Sequence, residues 1–136
     1  MPTLLLLAAA ALGNPELPDV EPNLSGLYSY RTSDGKVEQT GGVVIRKTGA
    51  SSYLLLYSAA RVEGDQVMTS QISGVGIYRD GVLAVAAHAG ESVYVFSYSV
   101  ECGQGGLVLR GGWTRWPGGD VIREELRRLG PLPAPR

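Results

Sequence analysis

Glycine is the residue that most limits what this chain can fold into. It supplies 19 of the 136 residues, about twice the usual share, and it is scattered between short apolar runs. No G-X-Y period runs through it, which excludes a collagen helix. Glycine reaches left-handed backbone conformations without a Cβ clash and so marks tight turns. Short apolar runs punctuated this often read as many short strands joined by hairpins.

The runs recur at spacings of about ten to fourteen residues. Leu27–Arg31 precedes Asp34-Gly35, and Val43–Lys47 ends at Thr48-Gly49. Tyr53–Ser58 comes next, then a short run at Val67–Ser70 and another at Val75–Tyr78. Asp80-Gly81, between Val75–Tyr78 and Val82–Ala87, is the strongest hairpin signal in the chain. Val93–Val100 leads into the glycine-dense turn Cys102–Gly106, followed by Leu107–Arg110 and Trp113–Trp116 as one strand or two. Residues 120–129 fit either period. Asp120 as a cap, with Gly130 and Pro131 as a stop, suits a helix, whereas Ile122, Leu126 and Arg128 alternate with Val121, Arg123 and Glu125 as in a closing strand. The strand is favoured because a meander needs its edge paired. Sequential hairpins without helical crossovers make neighbours antiparallel. The expected fold is therefore all-β: an antiparallel up-and-down meander of about eight strands closing into a barrel or half-barrel.

Apolar residues make up 44% of the chain, enough to bury one core. The expected organisation is an export signal at residues 1–13, a Pro-rich linker at 14–22, one domain at 23–130 and a Pro-rich tail at 131–136. The signal rests on the apolar run Leu4–Leu12, too short for a transmembrane helix, with small residues at Ala9, Ala11 and Gly13. No Lys or Arg precedes the run, and the alternative is an apolar first helix packed on the domain. An extracytoplasmic protein, periplasmic or secreted and not integral to the membrane, is the expectation. From Asn23 onward 12 basic and 10 acidic residues are dispersed, and Arg123, Arg127 and Arg128 are interrupted by Glu124 and Glu125. That pattern argues against a nucleic-acid partner.

Gly26-Leu27-Tyr28 opens the domain with glycine, any residue and an aromatic, and Gly112-Trp113-Thr114 comes late. In these two motifs the chain resembles the lipocalin-like (calycin) proteins, in which Gly-x-Trp starts the first strand and its aromatic plugs the closed end of the barrel. Tyr28 stands where that family has Trp. The resemblance implies an eight-stranded barrel with an interior site for a small apolar molecule. It does not say which molecule, because a fold does not fix a function.

Chemistry-bearing motifs are sparse. His88 is the single histidine, read as an exposed turn residue, and Cys102 the single cysteine, read as a free thiol in a turn. Nothing in their spacing suggests a metal site or a nucleophile with its base. No nucleophile elbow, phosphate loop, dinucleotide fingerprint or C-x-x-C occurs. On a strand Glu124 and Glu125 face opposite sides and could not act as a paired acid and base. Neither a cofactor, nor a metal, nor a catalytic residue is expected.

The remaining signal is aromatic. Tyr94, Phe96 and Tyr98 share one face at period two, as do Tyr53 with Tyr57 and Tyr28 with Tyr30, and Trp113 follows. Turned inward, Tyr94, Phe96, Tyr98 and Trp113 would line a ligand cavity; the alternative is ordinary core packing. Two readings follow. One is a non-catalytic binding module for a small apolar or amphipathic molecule. The other is a structural protein with a filled barrel that engages a protein or cell-envelope partner. An enzyme is a third and weaker reading.

Overall fold

A computed structural model describes residues 22–32 and 39–133. The expected export signal and nearly all of the expected linker lie outside the described residues, as do the last three residues of the expected tail. Eight strands follow one another in the described chain: β1 (Gly26–Thr32), β2 (Gln39–Lys47), β3 (Ser52–Glu63), β4 (Gln66–Arg79), β5 (Val82–Ala89), β6 (Ser92–Gly103), β7 (Gly106–Trp116) and β8 (Ile122–Gly130). Each pairs antiparallel with the next, and β8 returns to β1, with Tyr30 opposite Leu126. The sheet is a closed up-and-down barrel without a free edge. Residues 120–129 are thus resolved in favour of the strand, since β8 supplies the partner that both β7 and β1 would otherwise lack.

Strict alternation selects the inner face. Tyr28 and Tyr30, Val43 and Ile45, Tyr53, Leu55 and Tyr57, Leu83 and Val85, Phe96 and Tyr98, and Ile122 and Leu126 are all buried in the lumen. The turns are equally regular. Asp80 (φ 52°) and Gly81 (φ 83°) form the expected two-residue hairpin turn, in which both central residues take positive φ.

One expectation about glycine is corrected, and one alternative is decided. Val67–Ser70 and Val75–Tyr78 are one strand, β4, running through Gly74 and Gly76. These glycines face inward and are buried, and a Cβ at either would press on Val85. They leave room for larger neighbours rather than interrupting the strand. Of the two alternatives for Leu107–Arg110 and Trp113–Trp116, the single strand holds: both belong to β7, which runs through Gly111 and Gly112. At Gly111 a Cβ would fall on the Ser97 carbonyl oxygen of β6. Gly111→Ala should therefore destabilise the barrel by about 1–3 kcal/mol. A urea midpoint unchanged from wild type would show that the two strands do not approach so closely.

The end of the barrel where the chain enters is closed. Leu24 is completely buried across it; the Tyr28 hydroxyl donates to the Leu24 carbonyl at 2.7 Å and the Tyr53 hydroxyl to the Pro22 carbonyl at 3.3 Å. Burial pushes the Tyr28 hydroxyl up to about 12, so it remains a donor at any physiological pH. The opposite end, where β3 runs into β4 and β7 into β8, carries the mouth.

The candidate ligand site at the barrel mouth

Below the mouth lies a cavity of about 170 Å³ lined by Tyr30, Gln39, Tyr57, Ile72, Tyr94, Phe96 and Trp113, among others. It shares Gln39, Ala59, Ser70, Tyr94 and Trp113 with a wider outer recess of about 490 Å³ whose rim adds Arg61, Arg115 and Asp120. The two form a funnel, apolar and aromatic inside and polar at the rim, in keeping with the general build of small-molecule sites.

Strand register assembles the walls. Phe96 of β6 lies opposite Trp113 of β7, and Tyr94 opposite Arg115. The Phe96 ring stacks on Tyr57 at 4.8 Å and 15°, and Tyr57 meets Tyr30 edge-on at 6.3 Å. Tyr94 and Trp113 make a second edge-on pair at 5.4 Å. Such offset and edge-on geometries are the favoured arrangements of aromatic quadrupoles, and they fix the shape of the cavity.

Of the four residues singled out from the sequence, Tyr94, Phe96 and Trp113 line this cavity. Tyr98 lies deeper and is fully buried. Its hydroxyl donates to Glu124 Oε1 at 2.6 Å and contacts the Tyr57 hydroxyl at 2.8 Å. Glu124 is the only charged residue buried among the described residues, 1% exposed, and its Oε2 has no hydrogen-bond partner. Burial pushes its carboxyl up to about 7, while the Tyr98 and Tyr30 hydroxyls pull the other way by favouring the charged form. Burial also raises the Tyr57 and Tyr98 hydroxyls well above their ordinary range, so both stay protonated.

Glu124, Tyr30, Tyr57 and Gln39 were missed as site residues. The signal for Glu124 was present: it shares strand parity with Ile122 and Leu126, both lumen-facing. Glu125 points outward to Arg127 at 2.6 Å, so the adjacent acids do face opposite sides. Gly111, opposite both Tyr98 and Glu124, leaves no side chain on the strand between them.

His88 is corrected from a turn to strand β5; it is exposed, with Ser73 and Val93 as its strand partners. Cys102 is exposed on β6 at the closed end, so the two lie at opposite ends of the barrel and form no nucleophile–base pair. Among the described residues no three His, Cys, Asp or Glu side chains group as a metal site, and no helix is long and apolar enough to cross a membrane. No protein-family model matches the sequence, and a search of curated proteins finds no match.

Proposed function

We propose that this protein is an extracytoplasmic, non-catalytic binding module of the lipocalin-like kind, which takes a small apolar or amphipathic molecule into the mouth of its barrel. The observation that carries the reading is the aromatic-walled cavity opening through a polar rim at one end, while Leu24 closes the other. Binding would bury the apolar part of the ligand against Phe96, Trp113 and Tyr94, with the tyrosine hydroxyls supplying polar contacts.

Native mass spectrometry of the protein isolated from its own extracytoplasmic fraction tests this directly. A reproducible extra mass, lost on denaturation, is expected; a bare protein mass would count against the reading. Trp113→Ala should then weaken the ligand by about 1–2 kcal/mol, roughly five- to thirtyfold in Kd. An unchanged affinity in a folded variant would remove Trp113 from the site.

One observation favours the rival reading, an interaction protein. The outer wall of β3–β6 carries Leu56, Val75, Ile77, Val82 and Val95, all exposed, whereas the outer wall of β6–β8 carries the ion pairs Glu101–Arg110 and Glu125–Arg127. A contiguous apolar face of this sort suits a protein or envelope partner. Loss of partner capture on Val75→Lys and Ile77→Lys, with ligand binding intact, would support it.

A further inference from the structure

The hydroxyl hydrogens at the cavity floor can be assigned by counting. A tyrosine has one O–H hydrogen. That of Tyr98 goes to Glu124 Oε1 at 2.6 Å, so the 2.8 Å contact between Tyr57 and Tyr98 must use the hydrogen of Tyr57. Tyr30 directs its hydrogen to Gln39 Oε1 at 3.1 Å, with the Glu124 carboxyl as the alternative acceptor. Of the hydroxyls that line the cavity, those of Tyr57 and Tyr30, which the outer recess does not share, therefore offer it lone pairs and no hydrogen. The donors of the lining, on Gln39, Ser70, Tyr94 and Trp113, belong to the part shared with the outer recess, so the deep end accepts and the mouth end can donate.

Two further observations have the same sign. The walls are the faces and edges of Tyr57, Tyr94, Phe96 and Trp113, and aromatic faces attract cations. Behind the floor, one relay of two hydroxyls away, sits Glu124 with an unpartnered Oε2. The groups acting on its carboxyl are the Tyr98 and Tyr30 hydroxyls, and no basic side chain pairs with it among the described residues. Of its own strand, Arg123 and Arg127 are exposed and Glu125 points outward to Arg127, while Arg128 shares the inward parity of Glu124 but lies half-buried toward the closed end, where it acts on Tyr28. Arg115 and Asp120 stand out at the rim, where water and salt screen charges over about 8 Å. Arg61 is half-buried at the mouth with its Nε buried, and its positive charge confines an ammonium to the deep, Glu124 side of the cavity.

We infer that the ligand of this cavity carries a protonated amine, seated among the aromatic walls on the Tyr57 and Tyr30 oxygens, with the Glu124 carboxylate as its counter-charge. This rests on the reading of the mouth as a ligand site. A buried acid without a counter-ion is a strongly unfavourable arrangement in a folded core, and an ammonium in the adjoining cavity relieves it.

Three probes of one size and different charge test the inference: benzylamine, benzyl alcohol and benzoate, titrated into the full chain and followed by tryptophan fluorescence and calorimetry. At pH 8 benzylamine should bind about tenfold or more tighter than benzyl alcohol, with benzoate weakest. Glu124 titrates near 7, so its ionised fraction and with it the benzylamine affinity should fall about tenfold between pH 8 and pH 6. Glu124→Gln should bring benzylamine to the level of benzyl alcohol. Tyr98→Phe removes a hydrogen bond that favours the carboxylate and should move the midpoint of the pH profile upward, an outcome available even if the Gln variant does not fold. If benzyl alcohol or benzoate binds as well as benzylamine, the inference is overturned and the ligand site stands. If none of the three binds, both are overturned.

Discussion

Phe96→Ala should destabilise the barrel by about 3–5 kcal/mol, the usual loss on emptying a large aromatic site. Phe96 is buried and touches three rings: stacked on Tyr57 at 4.8 Å, parallel to Tyr98 at 6.1 Å and tilted toward Trp113 at 6.3 Å. The space it vacates adjoins the cavity of about 170 Å³, so the walls cannot readily collapse into it. Domains of this size are stable by only about 5–15 kcal/mol, and the midpoint of thermal unfolding should fall by roughly 10 °C or more. A variant melting within a few degrees of wild type would mean that the upper barrel is not packed as described. Because a loss of that size consumes much of the stability of the fold, Phe96→Leu is the binding variant: it keeps most of the volume and should still weaken a ligand held by the ring face.

Glu124→Gln should do the opposite and stabilise the protein, though only at higher pH. Burial raises the Glu124 carboxyl from 4.5 to about 7, so the native state binds the proton more tightly than the unfolded chain. Below about pH 4.5 both states hold it and there is no difference. Between about 4.5 and 7 the unfolded state releases the proton while the native state keeps it, and wild-type stability falls as the pH rises. Above 7 the full penalty is present, about 3 kcal/mol at 1.36 kcal/mol per unit. Glutamine is uncharged throughout and its carbonyl can still accept from Tyr98, so the variant lacks this slope. Urea unfolding at pH 4.5, 6 and 8 separates the outcomes. The two proteins should be nearly equal at the lowest pH and differ by about 3 kcal/mol at the highest. A constant difference across the three would mean that Glu124 is not titrating in the folded protein.

The two results bear on each other. A carboxylate that destabilises the empty barrel at neutral pH is the same group that would favour a bound cation. Saturation with an amine should therefore shrink the difference between wild type and Glu124→Gln at pH 8.

The sequence by itself determined the class of fold. Alternation such as Leu83, Val85, Ala87 and Tyr94, Phe96, Tyr98 fixes one face of a strand inward, and Asp80-Gly81 fixes a hairpin, because both effects act within a few residues. It also supplied Tyr94, Phe96 and Trp113 as an aromatic group. It did not determine where strands continue through glycine. Gly74, Gly76 and Gly111 look like interruptions along the chain and are instead required by what approaches from neighbouring strands, Val85 and the Ser97 carbonyl. Nor could it separate Tyr98 from the cavity residues or single out Glu124. Parity puts a residue inside the barrel, but the level it occupies between the closed end and the mouth depends on the stagger of all eight strands. That stagger brings Tyr57, Tyr98 and Glu124, far apart in sequence, into one hydrogen-bonded chain beneath the mouth.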